Sequence, residues 1–277
     1  MTPVLITKAS GEKQPFDESK LRRSLLRSGA PADVIDSAVS QVVARLRPEM
    51  TTREIYRLAF GFLKKRGKPL AARYSLKQAI IELGPSGHPF EKLVGEVLKA
   101  QGYSVKVAQT VRGKCVSHEV DVVAEKGDRH IMAECKFHHE RGLKVDVKVA
   151  LYIRARFEDV EKAWRSGAGH ARKFHEAWLI TNAKLTTDAI RYSDCVGLKA
   201  VGWDYPAGGS LPELIERAGL HPVTALTGLS RLQKRQLVDK GIILCTELTG
   251  SALGDLGLPG DKVEGVLKER GEICRLS

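Results

Sequence analysis

Three ionisable residues interrupt two apolar runs in the middle of this chain. The stretch from His118 to His138 reads HEVDVVAEKGDRHIMAECKFH. Val120, Val122 and Val123 fill the first run, and Ile131, Met132 and Ala133 open the second. Gly127-Asp128 between them supplies turn chemistry, so two adjacent β-strands joined by a charged turn are expected. Asp121 stands inside the first strand, and Glu134 and Lys136 stand inside the second. Burying such groups in a sheet costs several kcal/mol unless they are paired or bind a metal. A sequence tolerates that cost mainly where it uses the charge.

Alternation fixes which way these groups point. Glu134 and Lys136 are two residues apart and share a face of the strand, while Cys135 faces the other side. Pairing of the two strands brings Asp121 beside Glu134. Two carboxylates next to an ammonium make a hard-oxygen site for Mg²⁺ or Mn²⁺, with a cation beside the water that the ion holds.

The rest of the chain bounds what such a site can serve. With 277 residues, two domains or three small ones are expected. Hydrophobic content of 43% and charged content of 28% describe a soluble globular protein. The formal charge of +12 favours an anionic partner, with nucleic acid leading. Five widely spaced cysteines (Cys115, Cys135, Cys195, Cys245, Cys274) include no CxxC pair, which argues against zinc ribbons and redox motifs. No signal peptide is read, no apolar run is long enough for a membrane span, and a cytoplasmic protein without membrane partners is expected.

Residues 88–206 hold the elements that must position the acidic cluster. His88 opens an amphipathic helix with Phe90, Val94, Val97 and Leu98 on one side, and Ser104–Val111 reads as a strand. The charged hairpin follows, then a helix over 146–164 with Val149, Ile153, Phe157 and Val160 along one side. A strand at Trp178–Asn182, a helix at Lys184–Cys195 and a strand at Lys199–Tyr205 complete the region. The spacing of Asp121, Glu134 and Lys136 resembles the core of the PD-(D/E)xK nuclease superfamily, with Val120 where that family often has Pro. The order of elements is similar to its restriction-endonuclease-like α/β core, which has a central mixed sheet. The resemblance implies that Asp121 and Glu134 hold the metal, with the Cys135 carbonyl as a further ligand. Lys136 would orient or help deprotonate the attacking water. In Mrr-like members a Glu on the first helix reaches the site, a role that falls on Glu91. Lys148, one turn before Tyr152, is a phosphate-contact candidate, and Arg154 and Arg156 are further nucleic-acid candidates on different faces of that helix. The histidines His118, His138 and His139 read as packing or surface residues.

The first 84 residues read as a small hairpin and about four short helices, with Asp17 and a Thr before Arg53 as helix caps. Val4, Lys8, Gly11, Pro15-Phe16-Asp17, Lys20-Leu21, Thr51-Thr52-Arg53-Glu54-Ile55 and Leu70-Ala71-Ala72-Arg73-Tyr74 resemble the ATP-cone, a nucleotide-binding regulatory domain. That likeness implies an ATP or dATP effector held by Val4, Lys8 and Lys20, with Phe16 against the base and Thr52 nearby. Ala9 stands where the family has a second basic residue. No Walker A motif is present, so ATP hydrolysis is not expected.

Gly84-Pro85-Ser86-Gly87 reads as a linker or domain boundary. Residues 210–277 read as helices with Gly punctuation, loosely similar to helix-hairpin-helix units that grip DNA backbone, with a packing or dimerisation cap as the equal alternative. The expected architecture is therefore a mostly helical cone over 1–84, an α/β nuclease core over 88–206 and a helical region over 210–277. The expected activity is Mg²⁺-dependent phosphodiester hydrolysis by a DNA endonuclease under nucleotide control. A nucleotide-sensing nucleic-acid binder without cleavage and a branched-DNA resolvase are the alternatives, and a homo-oligomer is left open.

Overall fold

The computed structural model describes residues 4–8, 11–166 and 174–274. Its opening strands, β1 (Leu5–Thr7) and β2 (Lys13–Pro15), pair antiparallel. Five helices follow: α1 (Glu18–Leu26), α2 (Ala32–Val43), α3 (Thr52–Arg66), α4 (Lys68–Tyr74) and α5 (Leu76–Ile81). Local chemistry sets their starts. The Asp17 side chain accepts from Lys20 N, and Thr51 and Glu54 cap α3 reciprocally, with Thr51 N donating to Glu54 Oε2 at 2.8 Å. α4 and α5 are separate helices, one more than the roughly four expected, because Ser75 leaves helical geometry (φ −86°, ψ 2°) and its hydroxyl donates to Ala72 O.

The turn Gly84–Gly87 leads straight into α6 (His88–Ala100), followed by β3 (Ser104–Arg112), β4 (Ser117–Lys126) and β5 (Arg129–Lys136). Next come β6 (Lys144–Val145), α7 (Val147–Ser166), β7 (Phe174–Thr181), β8 (Lys184–Leu185), α8 (Thr187–Val196) and β9 (Lys199–Val201). The central sheet has the order β3-β4-β5-β7-β9. β3, β4 and β5 are antiparallel neighbours, while β7 runs parallel to β5 and to β9, so the sheet is mixed as expected. The expected β4–β5 turn forms at Gly127, whose φ of +56° lies in the left-handed region that glycine adopts without penalty.

Two apolar layers sandwich the sheet. On one side Phe90, Leu93 and Val97 of α6 pack against Val122, Ala124, Ile131 and Ala133. On the other, Ile153, Phe157 and Val160 of α7 and Ala189 of α8 cover Met132, Leu179 and Ala200. Both parallel crossovers therefore lie on one face. Strand residues Lys184 and Leu185, expected to begin a helix, instead pair with Lys144 and Val145, and α8 starts at a Thr186 cap.

The hairpin between β3 and β4 is pinned to α7 by Asp159. Its carboxylate accepts from Cys115 N at 2.9 Å, Val116 N at 3.3 Å and His118 Nε2 at 2.9 Å. The His118 hydrogen bond is the main reason the Asp159 carboxyl lies well below the usual carboxylate range. His118 is thus a packing residue, as expected. Gly113 sits so close that an added Cβ would run into the Asp159 carboxylate and stand 2.6 Å from Val116 O. Gly113→Ala should therefore destabilise the protein by about 2 kcal/mol in urea denaturation, since neither neighbour can retreat without breaking this clamp.

The C-terminal region contains α9 (Leu211–Ala218), α10 (Arg231–Asp239), α11 (Gly250–Gly254) and α12 (Gly260–Ile273). Its middle is an internal repeat that the sequence reading overlooked: Val223-Thr224-Ala225-Leu226-Thr227-Gly228 matches Cys245-Thr246-Glu247-Leu248-Thr249-Gly250. The copies meet at an antiparallel Pro222–Leu244 bridge, where Val223 N donates to Ile243 O and Cys245 N to His221 O, both at 2.8 Å. Ser230 and Thr249 cap the starts of α10 and α11.

Helix α5 joins the three regions. Leu76 and Ile80 enter the core around Phe90, whereas Ala79 packs with Val223 and Leu226. Thr224 Oγ1 donates to Ala79 O at 2.6 Å. Residues 84–87 are consequently a tight connection between α5 and α6.

Candidate active site

The β4–β5 ladder stops at Val122↔Ala133, one step before Asp121 and Glu134 would pair. Beyond that point Asp121 Oδ2 accepts from Cys135 N at 2.7 Å, so a carboxylate takes the place of the missing backbone acceptor. Across β3, Ala108 sits between the pairs Val107↔Val122 and Gln109↔Val120 with φ +52°. A left-handed alanine costs about 1–2 kcal/mol, and Gln109 steadies the distortion by donating to Val107 O at 2.8 Å. The strain lies directly beside Asp121, where the ladder opens.

Glu134 turns to the α7 side of the sheet. It meets Arg156, whose Nη1 donates to Glu134 Oε2 and whose Nη2 donates to Glu119 O. The guanidinium also lies 5.2 Å from the centre of the Tyr152 ring. Lys148, Tyr152 and Arg156 recur every four residues and form one stripe on α7. Arg156 is 8% exposed, so the nucleic-acid role expected for it is replaced here by an ion pair inside the site. Arg154 does not share the stripe: Nε donates to Glu158 Oε1 at 2.9 Å and the group lies over Phe157. Lys148 is exposed at the start of α7.

Cys135 faces the opposite side, packed against the Phe90 cluster, and burial pushes its thiol well up. Lys136 is exposed on the Glu134 side of the strand. Glu91, half-buried on the first turn of α6, lies close enough that the Asp121 charge adds to burial in raising its carboxyl. Burial likewise raises Asp121, although Cys135 N, Arg156 and Lys136 pull the other way. Glu134 is the most perturbed of the three: burial first, and then the Asp121 charge, raise it to about 7 despite Arg156. Glu119, absent from the sequence reading, contributes charge to both Glu91 and Asp121.

Asn182 was also missed. Its buried amide accepts from His138 N and donates to His138 O, both at 2.8 Å, fixing the chain two residues beyond Lys136. No sequence signal marks it beyond its place at the end of an apolar strand. His139 stacks edge-on against Phe137 at 4.9 Å, outside the acidic cluster.

In the cone, Phe16, Lys20 and Thr52 line one cleft of about 190 Å³ with Ile6, Tyr56 and Tyr74. Val4 and Lys8 do not line it. Val4 O accepts from Phe16 N, and Lys8 pairs with Glu12 at 2.9 Å. Ala9 lies outside the described residues.

Among the described residues no three His, Cys, Asp or Glu side chains are arranged to hold a metal ion. The donor set nevertheless suits Mg²⁺, which takes one or two carboxylates and fills its remaining positions with water and phosphate oxygens. Asp121 and Glu134 supply two such carboxylates, both destabilised as anions by burial, Glu134 further by the Asp121 charge and Asp121 by that of Glu119. No helix among the described residues is long and apolar enough to cross a membrane.

Known protein families match this chain in three segments. Family models match at residues 4–80 (ATP cone domain), 84–201 (restriction endonuclease, the Mrr catalytic type) and 221–274 (AF1548-like, C-terminal). An uncharacterized protein of Archaeoglobus fulgidus is 34% identical over 186 residues, covering 65% of this chain and 99% of the relative. A crystal structure of AF1548, a protein of unknown function, superposes with a TM-score of 0.54 at 33% identity, covering 68% of this chain and 98% of that one. The chain thus belongs to the AF1548-like family, here as an ATP cone followed by a Mrr-type restriction-endonuclease-like domain and the family's C-terminal region.

Proposed function

We propose that this protein is a divalent-metal-dependent DNA endonuclease whose activity responds to ATP or dATP at the cone. The observation that carries the reading is the convergence of Asp121 and Glu134 where the β4–β5 ladder opens, with Lys136 on the Glu134 face. In this reading Asp121, Glu134 and the Cys135 carbonyl hold Mg²⁺ or Mn²⁺. The bound ion would supply charge stabilisation to the phosphate and lower the pKa of a coordinated water.

The chain's own groups have separate tasks. Arg156 holds Glu134 in one orientation, leaving its second oxygen available. Lys136 orients the attacking water and offsets negative charge as phosphorus becomes five-coordinate. Water oxygen bonds to phosphorus, the bond to the 3′ oxygen breaks, and that oxygen takes up a proton. A 5′-phosphate and a 3′-hydroxyl result. Glu91 accepts a hydrogen bond from water at the edge of the site, and Lys148 contacts a flanking phosphate. At the cone, Phe16, Lys20 and Thr52 would take the nucleotide, and its preference for one arrangement would reach the nuclease core through α5.

The test is supercoiled plasmid incubated with Mg²⁺, Mn²⁺ or EDTA, each with and without ATP and dATP. Nicked or linear product is expected with either metal and not with EDTA, with a rate that changes on adding nucleotide. DNA binding without product under every metal condition would instead establish a binding protein that does not cut.

A further inference from the structure

A cleft of about 500 Å³ opens where the cone, the loop after β5 and the C-terminal region meet. Six cations line it: Arg53, Arg57 and Lys64 from α3, Arg141 from the loop, and Arg231 and Lys234 from α10. One acid, Glu82, faces them, and it already accepts from Gln78 Nε2 at 2.9 Å. Among the described residues none of the six cations is in a salt bridge. Such a concentration of like charge raises the local potential until an anion enters.

Other features of the cleft point the same way. Burial is the main reason the Lys234 ammonium lies below its ordinary range, so a partly desolvated cation awaits a counter-charge. Thr227, on the C-terminal wall, has a buried hydroxyl oxygen without a hydrogen-bond partner. On the cone wall, the Tyr56 and Phe60 rings lie 6.0 Å apart and nearly parallel, and Arg141 covers Tyr56 at 4.5 Å. Phosphate oxygens suit the cations and the hydroxyl, and a flat base suits the rings.

We propose that this junction cleft binds a ligand carrying several phosphates beside a base, either a free nucleoside polyphosphate or a segment of single-stranded nucleic acid. It adjoins the cleft holding Phe16 and Lys20, with which it shares Thr52 and Tyr56, but draws its cations from other residues, and it shares no residue with the acidic cluster around Asp121. The cleft exists only where the three regions meet, so its ligand would tie them together. Arg141 would carry occupancy toward the site, because it is five residues beyond Lys136 and its Nε donates to Gln78 on α5 at 3.1 Å.

Binding to the full-length protein is measured in EDTA, so that no cleavage is needed and the outcome is independent of the nuclease reading. The probes are radiolabelled ATP and a fluorescein-labelled oligothymidylate. The variants are the Arg57→Glu/Arg231→Glu pair and, separately, Lys64→Glu, all at exposed positions, with thermal melts confirming folding. Loss of about tenfold or more in affinity for ATP alone identifies a nucleotide site. The same loss for the oligonucleotide, with a salt dependence shallower by about one to two ions, identifies a strand-binding site. Unchanged affinity for both probes in both variants, or binding of neither probe by the native protein, overturns the proposal.

Discussion

Replacing Asp121 with Asn should lower metal-dependent DNA cleavage by roughly a thousandfold, a change of about 4 kcal/mol in the barrier. The substitution is chosen because it spares the fold. Asparagine keeps an oxygen that can accept from Cys135 N, the bond that now holds the open end of the β4–β5 ladder at 2.7 Å. What disappears is the negative charge, and with it one of the two anionic ligands we propose for the metal. Lys136→Ala should cost a comparable factor, because the side chain is exposed and supports no packing, so any loss is chemical. Arg154→Gln should change the rate by less than about threefold, since its guanidinium engages Glu158 and the α8 end rather than the site. Initial rates on plasmid, with binding measured separately, check all three. Cleavage surviving in Asp121→Asn at near-native rates would place the chemistry elsewhere.

Asp121, Glu134 and Lys136 were legible because charged residues break apolar runs at strand spacing, and a β-period assigns their faces without coordinates. The helix caps at Asp17 and Thr51 were legible for a similar local reason, whereas the mixed sheet was expected only from the resemblance to the restriction-endonuclease-like core. Arg156 was not. Its four-residue spacing from Tyr152 and Lys148 was there to find, but a basic residue in a run of basic residues looks like a solvated face until a buried carboxylate is found opposite it. Asn182, which clamps His138, and Asp159, which clamps the β3–β4 turn, act across more than forty residues of sequence. Nothing local marks either one. The strained Ala108 is hidden for another reason: alanine gives no hint that its backbone is left-handed until the strand it lies in has paired. The tight packing of α5 against all three regions also escaped notice, because Gly, Pro and Ser in succession signal a break in helix but say nothing about what the flanking helix touches.

In the metal-free protein, Glu134→Gln should be more stable than the native sequence at pH 8, with the difference vanishing by about pH 4.5. The folded-state pKa of Glu134, about 7, is above its ordinary value of 4.5. A carboxyl raised in this way favours folding while protonated, so its contribution is complete below pH 4.5 and is lost as pH climbs toward 7. At 1.36 kcal/mol per unit the full swing is up to about 3 kcal/mol, an upper figure because the side chain keeps some contact with solvent. Glutamine retains an acceptor for Arg156 and carries no charge to desolvate, so its stability should lack this slope. Asp121 and Glu91, both raised, also contribute stability that falls as pH rises, whereas Asp159, lowered, contributes only under more acid conditions. Taking the difference between variant and native protein at each pH, by urea denaturation in EDTA, largely removes their contribution. Arg156→Met should move in the opposite direction at pH 8, losing about 3 kcal/mol, because it strips a buried carboxylate of its counter-charge. Adding Mg²⁺ at pH 8 should then stabilise native protein but not Glu134→Gln, since only the native site offers a second anionic oxygen ligand to the ion. A variant-minus-native difference that stays flat from pH 5 to pH 8 would mean that Glu134 is not a desolvated carboxylate, and the case for a cation at this position would lose its electrostatic basis.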